Sequence, residues 1–248
     1  MHSLLPLLNA HIPQQYLPVL SHSNVPPPVS PTAVLPTPPS STPIPGSGQY
    51  TKLTYLPILL KTLSRAMIEW PLFRSSITPQ LPPSPSSPPP KPTLTIRPWA
   101  DISIALSTPT GLYTPTIRNA SAQSIYSLGS TLRHISHLGR QVPCGLTPAE
   151  MPKRGGTITV SNVGAIGDGD FANPVLVPGG GVAIVAIGRA KWVWDVNRNE
   201  SGQGERRLKV GVSWSADHRV VEGAELAAFV ETWRGWVENP QKMIADGV

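Results

Sequence analysis

Apolar residues recur along this chain with two periods, and the switches between them mark its elements. Leu56, Leu59, Leu60, Leu63, Met67 and Ile68 share one face of a helix predicted over residues 56–70 and stopped by Pro71. A second helix is predicted over 121–138, ending at Gly139. Short runs at 93–96, 102–106, 157–161, 182–187 and 208–214 read as strands, the first two separated by Pro98 and the later ones by clusters of Gly, Asp and Pro. After the last run, Leu226, Val230, Trp233 and Val237 return to helical spacing until Asn239-Pro240 closes the pattern. Strands outnumber helices and do not strictly alternate with them. The predicted class is therefore α+β, a mixed β-sheet with flanking helices, rather than a doubly wound fold. No internal repeat is visible.

Composition divides the chain unevenly. The first 49 of its 248 residues contain no Lys, Arg, Asp or Glu and hold 12 of its 31 prolines. Such a stretch has little to offset its ordering entropy, so residues 1–49 are expected to be a disordered Pro-rich segment. A second proline tract, 79–92, is expected to be a loop inserted into a single folded domain over 50–248. The whole formal charge of +6 then falls on that domain. Its Lys and Arg are scattered, with no basic stripe interleaved with aromatics, so nucleic-acid binding is not expected. One cysteine, Cys144, excludes an internal disulfide and leaves no Cys/His cluster for structural zinc. No apolar run approaches the roughly 20 residues of a membrane-spanning helix, and no targeting signal is legible at the start of the sequence.

The candidate chemistry centres on Ser213-Trp214-Ser215-Ala216-Asp217-His218-Arg219-Val220-Val221-Glu222-Gly223. Here the pattern passes from strand to helix, placing His218 at an element junction, where a general base can reach a ligand. A histidine in such a place is also commonly a surface or hydrogen-bonded structural residue. Ser161-Asn162, at the end of the strand predicted over 157–161, reads either as a polar pair at a site or as a turn, since both residues bond readily to nearby backbone. Gly164, Gly167 and Gly169 with Asp168 and Asp170 have neither the Walker spacing nor the glutamate of a calcium loop, and read as a turn. His134 and His137 lie one turn apart on a helix without a third ligand, so no metal site is assigned.

Taken in order, Gly155-Gly156-Thr157-Ile158-Thr159-Val160-Ser161-Asn162-Val163-Gly164, Val182-Ala183-Ile184 through Gly188, and Trp214-Ser215-Ala216-Asp217-His218-Arg219 give the chain a resemblance over residues 50–248. It resembles the catalytic domain of the dihydrolipoamide acyltransferases, the core components of the 2-oxoacid dehydrogenase complexes, and is most similar to the branched-chain members. The resemblance implies a chloramphenicol-acetyltransferase-like, coenzyme A-dependent acyltransferase fold. It implies acyl exchange between a dihydrolipoyl thioester and coenzyme A, with His218 as the base and Ser161 donating to the oxyanion. Glu222, four residues after His218 where the family usually has Asp, is expected to support the site. Thr54, Ser161, Asn162, Gly188 and Ala190 match coenzyme A contacts. Ser107 and Ser136 stand where an acidic residue and a glutamine are usual.

The resemblance further implies a homotrimer within a larger core assembly, with His218 and Ser161 meeting across a subunit boundary. Its partners would be lipoyl domains supplied by another domain or chain, a 2-oxoacid decarboxylase and a dihydrolipoamide dehydrogenase. Its compartment would be the mitochondrial matrix. A second reading is a non-catalytic core or assembly subunit whose coenzyme A site has degraded, consistent with Ser107, Ser136 and Glu222. A serine hydrolase is the least supported, because no Gly-x-Ser-x-Gly elbow is present.

Overall fold

The computed structural model of the chain describes residues 1–18, 44–78, 91–167, 169–176, 181–196 and 204–245. Its centre is a five-stranded mixed sheet made, in order across it, by residues 116–117, 102–104, 158–162, 183–195 and 205–216. Strands β3 (Ile102–Ile104), β7 (Ile158–Asn162) and β8 (Ala183–Asp195) run parallel, and β6 (Thr116–Ile117) and β9 (Glu205–Ala216) flank them antiparallel. The central strands carry continuous apolar runs because both of their faces are covered: residues 182–188 are buried without interruption. The expected α+β mixed sheet is thus observed.

Helix α2 (Tyr55–Glu69) buries Leu59, Leu60, Leu63, Ala66 and Met67, and α4 (Gly223–Glu238) buries Phe229 and Trp233. The two helices are joined through aromatic contacts. Phe73, in the short 3-10 turn after α2, stacks on Phe229 at 3.8 Å, and the Trp233 indole donates to Thr62 Oγ1 at 3.1 Å. Burial of each such side chain contributes roughly 1.5–3 kcal/mol. Helix α3 (Ile125–Gly139), capped by Ser124 Oγ on the amide of Ser127, packs on α2 and supplies Leu128 and Ile135 to the core.

Several elements lie beyond the sequence expectation. Strand β2 (Thr93–Ile96) is the one expected at 93–96, but its partner β1 (Ser75–Thr78) was not expected; their hairpin brackets the proline tract expected over 79–92, of which residues 79–90 lie outside the described residues. A second hairpin pairs β4 (Leu106–Thr108) with β5 (Gly111–Tyr113). Strands β8 and β9 continue past a register shift between Ile187 and Ala190 into a two-stranded arm ending at Asp195 and Glu205, where Lys209 pairs with Asp195 at 2.8 Å. A short helix, α5 (Lys242–Ala245), follows α4.

The expectation of disorder over 1–49 does not hold for its described parts. Helix α1 (Leu4–Ala10) packs Leu5 and Leu8 against the cluster of Tyr16, Tyr50 and Leu53, and a 3-10 turn at Gln14–Tyr16 buries Tyr16 against Tyr50 and Tyr126. Pro6 is tolerated because the first helical turn has no intrahelical use for its missing N–H. Asn9 ties this segment down, accepting from the amide of Leu53 at 2.6 Å and donating to the Leu53 carbonyl at 3.3 Å. Residues 19–43, which hold the remainder of the expected disordered segment apart from 44–49, lie outside the described residues.

Candidate active site

The end of β9 builds the turn that carries His218. The Asp217 amide donates to Val182 O at 2.8 Å, extending the ladder, and the Asp217 carbonyl then accepts from Val220 and Val221 at 2.9 and 3.0 Å. The Asp217 side chain closes the turn on Arg219, accepting from its Nε at 2.9 Å, a terminal guanidinium N–H at 2.6 Å and its backbone amide at 3.1 Å. These bonds from Arg219, outweighing partial burial, hold the Asp217 carboxyl below the usual aspartate range. Val221 is buried and anchors the exit of the turn. His218 is left exposed at the apex, its ring without a hydrogen-bond partner among the described residues.

Two neighbours of His218 act on the backbone rather than on its ring. Glu222 is the N-cap of α4, and its amide donates to the Glu225 carboxylate at 2.9 Å. The structure brings Glu222 next to the helix terminus and shows no bond from it to His218 among the described residues. Trp214, on the face of β9 turned to α4, meets Phe229 and Trp233 edge-on at 5.6 and 5.5 Å. Its buried Nε1 has no partner among the described residues, and among them the ring fixes the end of β9 through packing.

Ser161 and Asn162 close β7, opposite Ala186 and Ile187 of β8, and both are half-buried. Neither the Ser161 hydroxyl nor the Asn162 amide has a side-chain partner among the described residues. Just beyond them the backbone comes together closely. Gly164, in the 3-10 turn Val163–Ala165, abuts the Gly188 carbonyl, and Gly188 abuts the backbone of Asp170. A β-carbon at either glycine would overlap those backbone atoms, so both positions require glycine for close approach. Asp170 is held there by Lys191 at 2.6 Å. Thr54, the N-cap of α2, is exposed at this same end: the next residue, Tyr55, bonds through its hydroxyl to His2 Nδ1 at 2.7 Å, and the His2 ring stands edge-on to Trp192 of β8 at 5.1 Å. Thr54, Ser161, Asn162, Gly188 and Ala190 are therefore gathered toward one end of the sheet. Ser107, exposed on β4, and Ser136, half-buried on α3, make no bond to this group.

His218 lies at the other end. Ile158 pairs with Ala183, and Ala183 with Ala216, so those three residues are level across the sheet. Ser161 is three residues beyond that level in one direction, and His218 follows the end of β9 in the opposite one. At about 3.3 Å per residue and 4.8 Å per strand, the two are at least roughly 10 Å apart along the strands and a further ~10 Å across them. One protomer does not join them.

The chain matches the 2-oxoacid dehydrogenases acyltransferase (catalytic domain) family over residues 45–245. It belongs to that family. Among curated relatives it is 32% identical over 195 residues to the mouse mitochondrial lipoamide acyltransferase component of the branched-chain alpha-keto acid dehydrogenase complex, covering 79% of this chain and 37% of the relative. The corresponding Caenorhabditis elegans protein is 31% identical, with 79% and 40% covered. The chain thus spans a little over a third of the length of these relatives. Among solved structures, the cubic core of a pyruvate dehydrogenase multienzyme complex superposes with a TM-score of 0.65 at 29% identity, covering 78% of this chain and 72% of that one. The Azotobacter vinelandii dihydrolipoamide acetyltransferase gives 0.65 at 28% identity with the same coverage. That enzyme was studied for a serine, a histidine and an asparagine in its catalytic mechanism, the asparagine four places after the histidine. The same spacing separates Glu222 from His218 here.

The contacts that sequence reasoning missed are those of the segment 1–18, chiefly His2 and Asn9 beside Thr54. The recurring leucines Leu4, Leu5, Leu7 and Leu8 were the signal for it, diluted by averaging over a long proline-rich stretch.

Proposed function

We propose that this chain transfers acyl groups between a dihydrolipoyl thioester and coenzyme A as the catalytic domain of a 2-oxoacid dehydrogenase complex, with a branched-chain acyl group as substrate. The observation that carries this reading is the separation, in a family member, of two side chains that have no side-chain partner among the described residues. His218 and Ser161 occupy opposite ends of one sheet, so a complete site forms where the His218 end of one copy meets the Ser161 end of another. A homotrimer supplies this arrangement three times over.

In the assembled site His218 takes the proton of the attacking thiol as sulfur adds to the thioester carbonyl. A free thiol and a free imidazole differ by about two pKa units, so full transfer costs roughly 2.7 kcal/mol, well within an enzymatic barrier. The Ser161 hydroxyl, which has no side-chain partner among the described residues, donates to the oxyanion of the tetrahedral intermediate; this collapses as the carbon–sulfur bond to the leaving group breaks and the leaving thiolate takes the proton from the imidazolium. Coenzyme A lies toward the Thr54, Asn162, Gly188 and Ala190 end, and the lipoyl arm comes from another domain or chain. The decarboxylase and dihydrolipoamide dehydrogenase components are the expected partners, and the mitochondrial matrix the expected compartment.

The test is acyl transfer from isovaleryl-coenzyme A to free dihydrolipoamide. We expect His218→Asn to lower kcat at least ~100-fold, the lower end for loss of a positioned general base, while the oligomer is unchanged by sedimentation. Equal rates in the two proteins would support the second reading, a non-catalytic core subunit. That reading is favoured by one observation: Glu222 caps α4, and no carboxylate bonds to the His218 ring among the described residues.

A further inference from the structure

A catalytic side chain is held to its working geometry either by bonds to its own polar atoms or by a rigid backbone beneath it. The His218 ring has no hydrogen-bond partner among the described residues. Glu222, four places on, accepts from the Glu225 amide and completes the capping box of α4. What remains to fix the imidazole is the turn that carries it.

Asp217 spends its amide, its carbonyl and its carboxylate inside that turn, on Val182, on Val220 and Val221, and on Arg219. The contact with Arg219 is a fork: Nε donates to one carboxylate oxygen at 2.9 Å and a terminal N–H to the other at 2.6 Å. A surface ion pair between two flexible side chains contributes little. Here the guanidinium is exposed, but the carboxylate side chain is only 16% exposed and also accepts from the Arg219 amide. One member of the pair precedes His218 and the other follows it. Their side chains therefore close a ring of bonds around the backbone of His218 itself.

We propose that Asp217 and Arg219 are the positioning residues of His218, doing through the backbone what a carboxylate on the ring would do, while their opposite charges cancel beside the imidazole. The inference rests on the acyl-transfer reading. Neither residue touches the reacting atoms; both act through His218. Loosening the fork lets the apex shift, and a displacement of about 1 Å is enough to cost up to roughly 100-fold in rate. Removing one charge alone also tilts the local field. With Gln at 219 the Asp217 carboxylate favours the imidazolium, and with Asn at 217 the Arg219 guanidinium opposes it. The other charged groups beside the turn, Glu222 and Glu225 at the start of α4, are the same in both variants.

The experiment is the pH dependence of acyl transfer from isovaleryl-coenzyme A to dihydrolipoamide by the full chain and by Arg219→Lys, Arg219→Gln and Asp217→Asn. Arg219→Lys keeps the charge and loses the fork. It is expected to lower kcat about tenfold, with KM for both substrates within about twofold and the oligomer unchanged by sedimentation. The acidic limb of the kcat/KM profile should stay in place in Arg219→Lys, move up by roughly half a pH unit in Arg219→Gln and move down by roughly half a unit in Asp217→Asn. A purely structural role would reduce the amount of folded oligomer and leave the profile where it is. Should Asp217→Asn not fold, the two Arg219 variants decide the matter. With an active wild type, a kcat of Arg219→Lys within about twofold of it, or an acidic limb unmoved in Arg219→Gln, overturns this inference alone. A wild type that transfers no acyl group overturns the acyl-transfer reading and this inference with it.

Discussion

At position 61 a single buried amine shows how far environment alters a residue. Burial, and then the charge of Arg65, bring its pKa down from 10.5 to about 8. Between those values the unfolded chain keeps the proton that the folded chain has released, so the unfolded state binds more protons and stability rises with pH. The gain is at most roughly 1.4 kcal/mol per pH unit. Urea unfolding midpoints measured between pH 8 and 10 should climb in the wild type and stay flat, relative to it, in Lys61→Met. At position 218 the environment acts on the main chain instead. Asp217 shapes the turn through Arg219, and Glu222 begins the next helix, so the imidazole is presented by its neighbours without being bound by any of them.

Elements account for what could be read from the chain and what could not. The helices near 56–70, 121–138 and after His218 were legible because their buried faces repeat at helical spacing over three or more turns. The run at 182–187 was legible as a strand, but its continuation to Asp195 was hidden, since the register shift at Gly188 and Arg189 breaks the alternation that marks a strand. Strands β1, β4, β5 and β6 are two to four residues long, too short for any period to show. Helix α1 was concealed by composition: proline and the absence of charge outweighed its leucines, and what holds it in place is long-range, the pairing of Asn9 with Leu53. Asn9→Ala leaves the buried Leu53 amide without its acceptor and should cost about 1–3 kcal/mol. Limited proteolysis is expected to cleave within the first 18 residues faster in that variant than in the wild type.

For the whole molecule, the sheet register decides what the chain can do alone. The motifs around Ser161 and His218 were both recognisable in the sequence, but their placement at opposite ends of the sheet was not, because it follows from β7 running parallel to β8 and β9 running back. The exposed Trp192 and Trp194 on the β8–β9 arm are apolar surface of the kind an assembled core covers. Shared sites make a prediction that independent sites cannot. Ser161→Ala and His218→Asn are each expected to be nearly inactive. Unfolded together in equal amounts and refolded, they should regain about one quarter of wild-type acyl transfer, because random assembly of a cyclic oligomer pairs an intact histidine with an intact serine at that fraction of interfaces. A refolded mixture of the wild-type oligomeric size that remains as inactive as its parents would contradict the shared site.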